Sequence, residues 1–184
     1  MNILRLFPLI ALVTPLLSTV APAHEFFVLL VAGPDTNQAD IYDGFRLATT
    51  ERDGHENETS DGHLGGLDVQ ISLDVSEGPA SEVGQRSEPP DFVVATGQLA
   101  RAEWLQTRTK DLGAVFVGVP EITTKMQADF LRQGFSDRFS VAYFRPASLT
   151  VTESYIAARL IDLAVRSQDD VAERDALEQI ISAY

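Results

Sequence analysis

Histidine is the side chain best suited to hold a metal or move a proton near neutral pH, and the chain has three: His24, His55 and His63. The last two lie in Asp53-Gly54-His55-Glu56-Asn57-Glu58-Thr59-Ser60-Asp61-Gly62-His63, which repeats an Asp-Gly-His unit among carboxylates. Two imidazoles with carboxylates can hold a divalent cation, and a terminal His24 would offer both its amine and its ring nitrogen to copper or nickel. The competing reading is a solvated acidic loop plus a frayed terminus, because flexible ligands must be ordered before they bind and no tetrahedral spacing is evident. Cysteine is absent, which removes thiol catalysis, Cys-based zinc sites and Fe–S clusters. The sequence has no Gly-rich dinucleotide turn after a strand, no Walker loop, no G-x-S-x-G elbow and no H-E-x-x-H. No cofactor is therefore predicted, and the familiar hydrolase mechanisms lack their signatures.

Side chains of this kind act only when a folded frame positions them. The 184 residues, 45% hydrophobic and 22% charged, have the profile of one globular domain. A domain of this size buries about two-thirds of its unfolded surface, so it folds without a disulfide or structural metal. With 14 Lys and Arg against 27 Asp and Glu, the net charge is −13. That balance argues against nucleic acid and against an anionic membrane surface, both of which are bound through clustered cations.

Residues 1–23 read as a signal peptide. One charge, Arg5, precedes an apolar run from Leu6 to Leu17, and Ala21-Pro22-Ala23 is a small-residue cleavage site. The run is too short to span a bilayer core of roughly 30 Å as a helix. The expectation is a leader over residues 1–23, a domain over 24–184, a periplasmic location and no stable membrane insertion after cleavage.

The rest alternates between strand and helix patterns. Glu25 to Ala32 is a continuous apolar run stopped by Gly33-Pro34-Asp35, as expected for a strand buried on both faces. Asp40 to Arg52 places Ile41, Phe45 and Ala48 on one helical face. Leu67 to Val75 alternates strictly, the pattern of a strand near a sheet edge with one solvated face. Between Ser76 and Pro90, turn residues predict a loop with at most one short helix around Ala80 to Arg86. Asp91 to Gly97 is a short apolar strand, and a helix from Leu99 to Leu112 ends at Gly113. Ala114 to Pro120 is the next strand, Thr123 to Gln133 the next helix, and Arg138 to Phe144 reads as an extended stretch. Thr150-Val151-Thr152-Glu153 fits a capping box, with Val151, Tyr155, Ala158, Ile161 and Val165 as an apolar stripe behind it. A terminal helix after Asp170 carries Ala176, Leu177, Ile180 and Ile181. Trp104 reads as a packing residue of its helix.

Short strands alternating with helices imply a parallel sheet with helices on both faces. Ligands in such sheets bind outside the carboxyl ends of the strands, which directs attention to residues 33–37, 96–101 and 120–124. Tyr42, just inside the first helix, stands near the mouth of that cleft.

The order of these elements resembles the type I periplasmic substrate-binding proteins of ABC transporters, in particular the branched-chain amino acid-binding group. Ala32-Gly33-Pro34 closes the first strand, and Tyr42-Asp43-Gly44-Phe45-Arg46-Leu47-Ala48 is similar to that family's aromatic-x-Gly-x-x-x-Ala helix. Gly65-Gly66 leading into Leu67 to Asp74 resembles its turn into the second strand. Asp91 to Ala95 through Gly113 to Pro120 is similar to its third strand, helix and fourth strand. Phe139 to Val165, with Pro146 and Ser154-Tyr155-Ile156-Ala157-Ala158, resembles its closing region. The resemblance implies a three-layer αβα domain with a mainly parallel, Rossmann-like sheet, equivalent to a single lobe, since the chain passes almost directly from Pro120 to the terminal region.

It also implies a solute-binding component of an ABC transport system that takes a small amino acid or carboxylate without catalysis and meets an ABC permease or another periplasmic protein. The ligand-binding candidates are Pro34, Asp35, Tyr42, Gln98, Arg101 and Thr123. Gln98-Leu99-Ala100-Arg101 lacks the Ser hydroxyl usual in the family at that turn. Arg101 either pairs a ligand carboxylate or is a surface charge at a helix start. Two alternatives stand beside this reading: a periplasmic protein–protein interaction module with lost ligand binding, and a divalent-metal protein using His24, His55 and His63.

Overall fold

The computed structural model describes residues 25–33, 35–52, 60–74, 89–96, 102–118, 128 and 133–184. In chain order the elements among them are β1 (Glu25–Ala32), α1 (Gln38–Thr50), β2 (His63–Leu64), β3 (Leu67–Asp74), β4 (Phe92–Thr96), α2 (Ala102–Asp111), β5 (Val115–Gly118), α3 (Phe135–Tyr143), α4 (Leu149–Gln168) and α5 (Arg174–Ser182). The strands form one sheet in the order β2-β3-β1-β4-β5. All pairs are parallel except the β2–β3 hairpin, where His63 faces Asp68 and Leu64 faces Leu67. The fold is thus mixed α/β, built on a mostly parallel five-stranded sheet.

The sheet pleat sorts apolar residues onto two faces. Phe26, Val28, Leu30 and Ala32 of β1, with Phe92 and Val94 of β4, join the larger core made with α1, α3, α4 and Leu177 of α5. Leu29 and Val31, with Val93 and Ala95, form the smaller core against Leu105 of α2. Helices therefore cover both faces, which is why the central β1 shows no hydrophobic–polar alternation. β3 is buried less completely, as its alternating sequence predicts, and only the two-residue β2 separates it from the sheet edge. No helix among the described residues is long and apolar enough to cross a membrane.

The helix starts follow local chemistry. Asn37 caps α1 by accepting the Ala39 amide at 3.1 Å. For α4 the cap is Ser148, which accepts the Val151 amide at 3.2 Å; the Thr150 capping box predicted from sequence is displaced by two residues. Both hydroxyl residues satisfy the capping rule, and the choice falls to Ser148 because its hydroxyl also donates to Asp40 of α1 at 2.6 Å. The predicted apolar stripe is buried as expected, from Val151 through Val165.

The extended reading of Arg138 to Phe144 is overturned: residues Phe135–Tyr143 are helix. Phe139, Val141 and Tyr143 mimic a period of two, yet Val141 is exposed while Phe135 and Phe139, four apart, are buried. Stacking of Phe139 on Tyr143 at 4.8 Å, four residues on, realises the helical period instead, and Phe135 packs in a tilted contact on Tyr155 of α4 at 4.4 Å. Strand β2 carries no sequence signal, since two residues are too few to show a period. The helix expected over 123–133 lies outside the described residues, apart from Ala128 and Gln133.

Helices α1 and α4 cross at backbone contact. Gly44 of α1 lies under Val151 of α4, where an added Cβ would overlap the Val151 carbonyl oxygen and come within 3.0 Å of its Cα. The buried Ser154 hydroxyl donates to the Ile41 carbonyl oxygen at 2.6 Å in the same seam. Ion pairs lock both ends. Arg145 donates to Asp43 at 2.8 Å and also pairs with Asp40 at the α1 start. Glu51 at the α1 end accepts from Arg138 and from the Tyr155 hydroxyl, each at 2.6 Å.

Asp162 is the most deeply buried carboxylate among the described residues. The Asp162 side chain of α4, 1% exposed, accepts the Gly65 amide and Arg166 Nη2, both at 2.8 Å, and so ties the β2–β3 turn to α4. Burial alone pushes its pKa up, but the Gly65 amide, the Arg166 hydrogen bond and the charges of Arg159 and Arg166 outweigh it, so the carboxyl titrates below the ordinary aspartate range.

Two outcomes are expected. Gly44→Ala should destabilise the protein by roughly 1–3 kcal/mol through overpacking, read as a lower urea midpoint with an unchanged denaturant slope. For Asp162, whose folded pKa lies below the unfolded value, the stabilisation is full above the unfolded pKa and is lost as pH falls through the folded one. Asp162→Asn should cost about 2–3 kcal/mol near neutral pH, less than a wholly buried pair because Arg52 and Arg166 remain half in water. The gap to wild type should shrink below about pH 4, as acid unfolding curves would show.

Candidate functional site

Parallel strand order locates the crevice where a ligand can reach backbone. Starting at β1, the chain adds β3 on one side, returns to add β4 on the other, and continues outward to β5. The direction reverses between β1 and β4. Helix α1, which follows β1, and α2, which follows β4, pack on opposite faces of the sheet, the arrangement that in parallel sheets places a ligand crevice outside the strand ends.

Three side chains mark this end. The β1 strand stops at Ala32, and register pairs Ala32 with Thr96, the last residue of β4. Thr96 is 0% exposed, and among the described residues its Oγ1 has no hydrogen-bond partner. By alternation it shares the sheet face of Phe92 and Val94, the face that carries α1. On the other flank β3 ends in Asp74, buried and in register with Val31. The connection from β1 to α1 passes the exposed Asp35 and turns with Thr36 N donating to the Gly33 carbonyl at 3.0 Å.

A buried hydroxyl with no partner costs about 1–3 kcal/mol relative to a satisfied one. Such a group at the carboxyl end of β4, beside the point where the strand order reverses, keeps donor and acceptor capacity for a ligand that reaches it. The α1 N-terminus is less available: the Ala39 amide is taken by the Asn37 side chain, and those of Asp40 and Ile41 by the Asn37 carbonyl. Asp40 adds negative charge to the first turn, so an anion would need a cation from elsewhere.

The candidates from sequence separate into groups. Pro34, Gln98, Arg101 and Thr123 lie outside the described residues, as do His24 and His55. Asp35 lies on the connection at the carboxyl end of β1. Tyr42 faces elsewhere: its hydroxyl donates to Asp61 Oδ1 at 3.0 Å, while Asp61 Oδ2 accepts the Ile71 amide at 2.8 Å. Burial first, then the Asp61 hydrogen bond and charge, push the Tyr42 pKa up, with Arg46 partly opposing them. That hydroxyl pins α1 to β3. His63 Nε2 lies 2.7 Å from Asp68 Oδ1 across the hairpin. Among the described residues no three His, Cys, Asp or Glu side chains converge as a metal would require. Trp104 is exposed on α2, where Leu105 makes the inward contact.

Sequence reading marked the segment beginning at Thr96 without singling out its hydroxyl, and it missed Asp74. The available signal was a polar residue closing an otherwise apolar strand run, as in Phe92-Val93-Val94-Ala95-Thr96.

No protein-family model matches the chain, and neither the curated proteins nor the solved structures contain a match.

Thr96→Val keeps the shape and removes the partnerless hydroxyl. Its unfolding free energy in the absence of ligand should equal or exceed wild type, by up to about 1–2 kcal/mol. A clear loss in urea titrations would mean that the hydroxyl supports the fold rather than standing open.

Proposed function

We propose that this chain is a one-lobe, Rossmann-like relative of the type I periplasmic substrate-binding proteins, exported to the periplasm, which binds a small amino acid or carboxylate at the carboxyl ends of β1 and β4 without catalysis. The observation that carries the reading is the strand-order reversal, with the Thr96 hydroxyl, without a partner among the described residues, at the strand end beside it. The resemblance assigns Pro34, Asp35, Gln98, Arg101 and Thr123 to the loops of the same end, and Arg101 supplies the cation that the neutralised α1 terminus does not. Tyr42 leaves the ligand set because its hydroxyl belongs to Asp61. Hinge closure over a ligand needs two lobes, so a lobe binding on its own holds its ligand more weakly. Delivery to an ABC permease, or to another periplasmic protein, completes the role.

One observation favours a second reading, a protein interaction module. Phe144 is 94% exposed and holds a left-handed φ of 55°, which bulky residues rarely adopt. Exposed Val141 and Leu149 flank it in sequence. Arg145, clamped to Asp40 and Asp43, holds this segment beside the α1 start, at the same end of the sheet as the crevice.

Thermal unfolding of the full chain against amino acids and small carboxylates separates the readings. A ligand at 100 times its Kd stabilises by about 2.7 kcal/mol. The solute-binding reading expects a saturable rise in Tm that is lost in Thr96→Val and in Arg101→Ala. If no compound in the panel raises Tm, the solute-binding reading fails and the interaction module takes its place.

A further inference from the structure

Three arginines of this acidic protein each have at least one carboxylate to themselves. Arg138 binds Glu51, Arg145 binds both Asp40 and Asp43, and Arg174 binds Asp91. At the other end of the sheet the ratio inverts. Arg159, Asp162 and Arg166 follow one another at i, i+3 and i+7 along α4, a spacing that keeps all three on one face. Arg52, just beyond α1, joins them from the neighbouring helix. Arg159 Nη1 lies 3.0 Å and Arg52 Nε 3.7 Å from Asp162 Oδ2, and Arg166 Nη2 lies 2.8 Å from Oδ1. Three guanidiniums thus share one carboxylate, a local formal charge of plus two inside a chain of −13.

The layering of this cluster is that of a receptor open to solvent. The carboxylate is the floor, 1% exposed, with one oxygen already used by Gly65 and Arg166. Arg159 is 13% exposed, and among the described residues its Nη1 has no hydrogen-bond partner despite its closeness to Asp162. Arg52 and Arg166 form the rim, at 45% and 52% exposed. Among the described residues Arg52 makes no hydrogen bond through its guanidinium, and Arg166 uses only Nη2. Planar guanidinium forks left with free donors and surplus charge match the oxygens of phosphate and sulfate groups, which accept two N–H bonds from each fork.

We propose that Arg52, Arg159 and Arg166 form a binding site for a tetrahedral oxyanion, a phosphate or sulfate group, above the buried Asp162. The site is independent of the strand-end crevice: it lies at the α1 carboxyl terminus and the β2–β3 turn, at the opposite end of the sheet. An anion there relieves the repulsion among three cations that one carboxylate cannot neutralise, and it joins α1 to α4 as Asp162 joins α4 to the hairpin.

The test is titration of the full chain with sodium phosphate at constant ionic strength, with chloride as the balancing salt, followed by Tm and by 31P line broadening. Sodium sulfate and sodium acetate are run in parallel. The expected result is a saturable response to phosphate and sulfate and none to acetate. Arg52→Gln combined with Arg166→Gln should weaken the phosphate response at least tenfold. Because Arg166 also donates to the buried Asp162, the urea midpoint of the double variant is measured beside it, and Arg52→Gln alone, which removes no hydrogen bond to Asp162, should weaken the response in the same direction. Lys110→Gln, an exposed cation on α2, should leave it unchanged, and so should Thr96→Val. A flat response to phosphate overturns the proposal, as does an equal response to acetate or one that survives the double substitution.

Discussion

The close approach of α1 and α4 is the constraint on which the rest of the structure depends. Two helices meet at backbone distance only where one of them lacks a side chain, and Gly44 under Val151 provides that place. The Ser154 hydroxyl then reaches the Ile41 carbonyl, which fixes the sliding of one helix along the other as well as their separation. With α4 held there, its apolar stripe covers the sheet face formed by Phe26, Val28, Leu30, Phe92 and Val94. The start of α1 is thereby placed over the carboxyl ends of the strands, and its end beside the hairpin turn.

Charged groups secure the two ends of this seam. Arg145 and Ser148 converge on Asp40 at one end, and Arg138 and Tyr155 on Glu51 at the other. Each pair joins residues far apart in the sequence, so each closes a long loop of chain. Partly exposed pairs are individually worth about 0–1 kcal/mol; their effect here is to select one arrangement of helices that hydrophobic burial alone would leave free to slide. Asp162 belongs to another class. Removing its partners leaves a charge in the interior, which is why the β2–β3 turn cannot leave α4 without large cost. Gly65 at a φ of 67° permits the approach, since a Cβ there would overlap Val165.

The sheet end and the hairpin end carry opposite electrostatics. The strand ends carry acidic Asp74, with Asp35 and Asp40 on the connection to α1 and at its start; around Asp162, three cations outnumber one anion. The two proposed sites therefore rest on different forces, a few hydrogen bonds at the strand ends and charge at the surface. Neither is visible in a net charge, which sums over both.

Much of the fold was legible in the residues. β1, β3, β4 and β5 sit close to their predicted limits, because apolar runs bounded by Gly, Pro and Asp have only one way to be buried and stopped. The helix stripes of α1, α4 and α5 are equally plain. What failed were two local readings: Thr150 as the cap of α4, and extension for Arg138 to Phe144. Each was settled by a contact distant in sequence, Asp40 for the cap and Tyr155 for the aromatic helix. The same holds for the candidate sites. Sequence alone determined an acidic, cysteine-free α/β chain whose loops of interest follow its strands, since composition and periodicity are local properties. Tertiary structure alone decided that Tyr42 serves Asp61, that Thr96 stands without a partner among the described residues, and that three arginines share Asp162. Pairing is a property of distance in space, and the partners Arg52 and Asp162 stand on opposite sides of most of the chain.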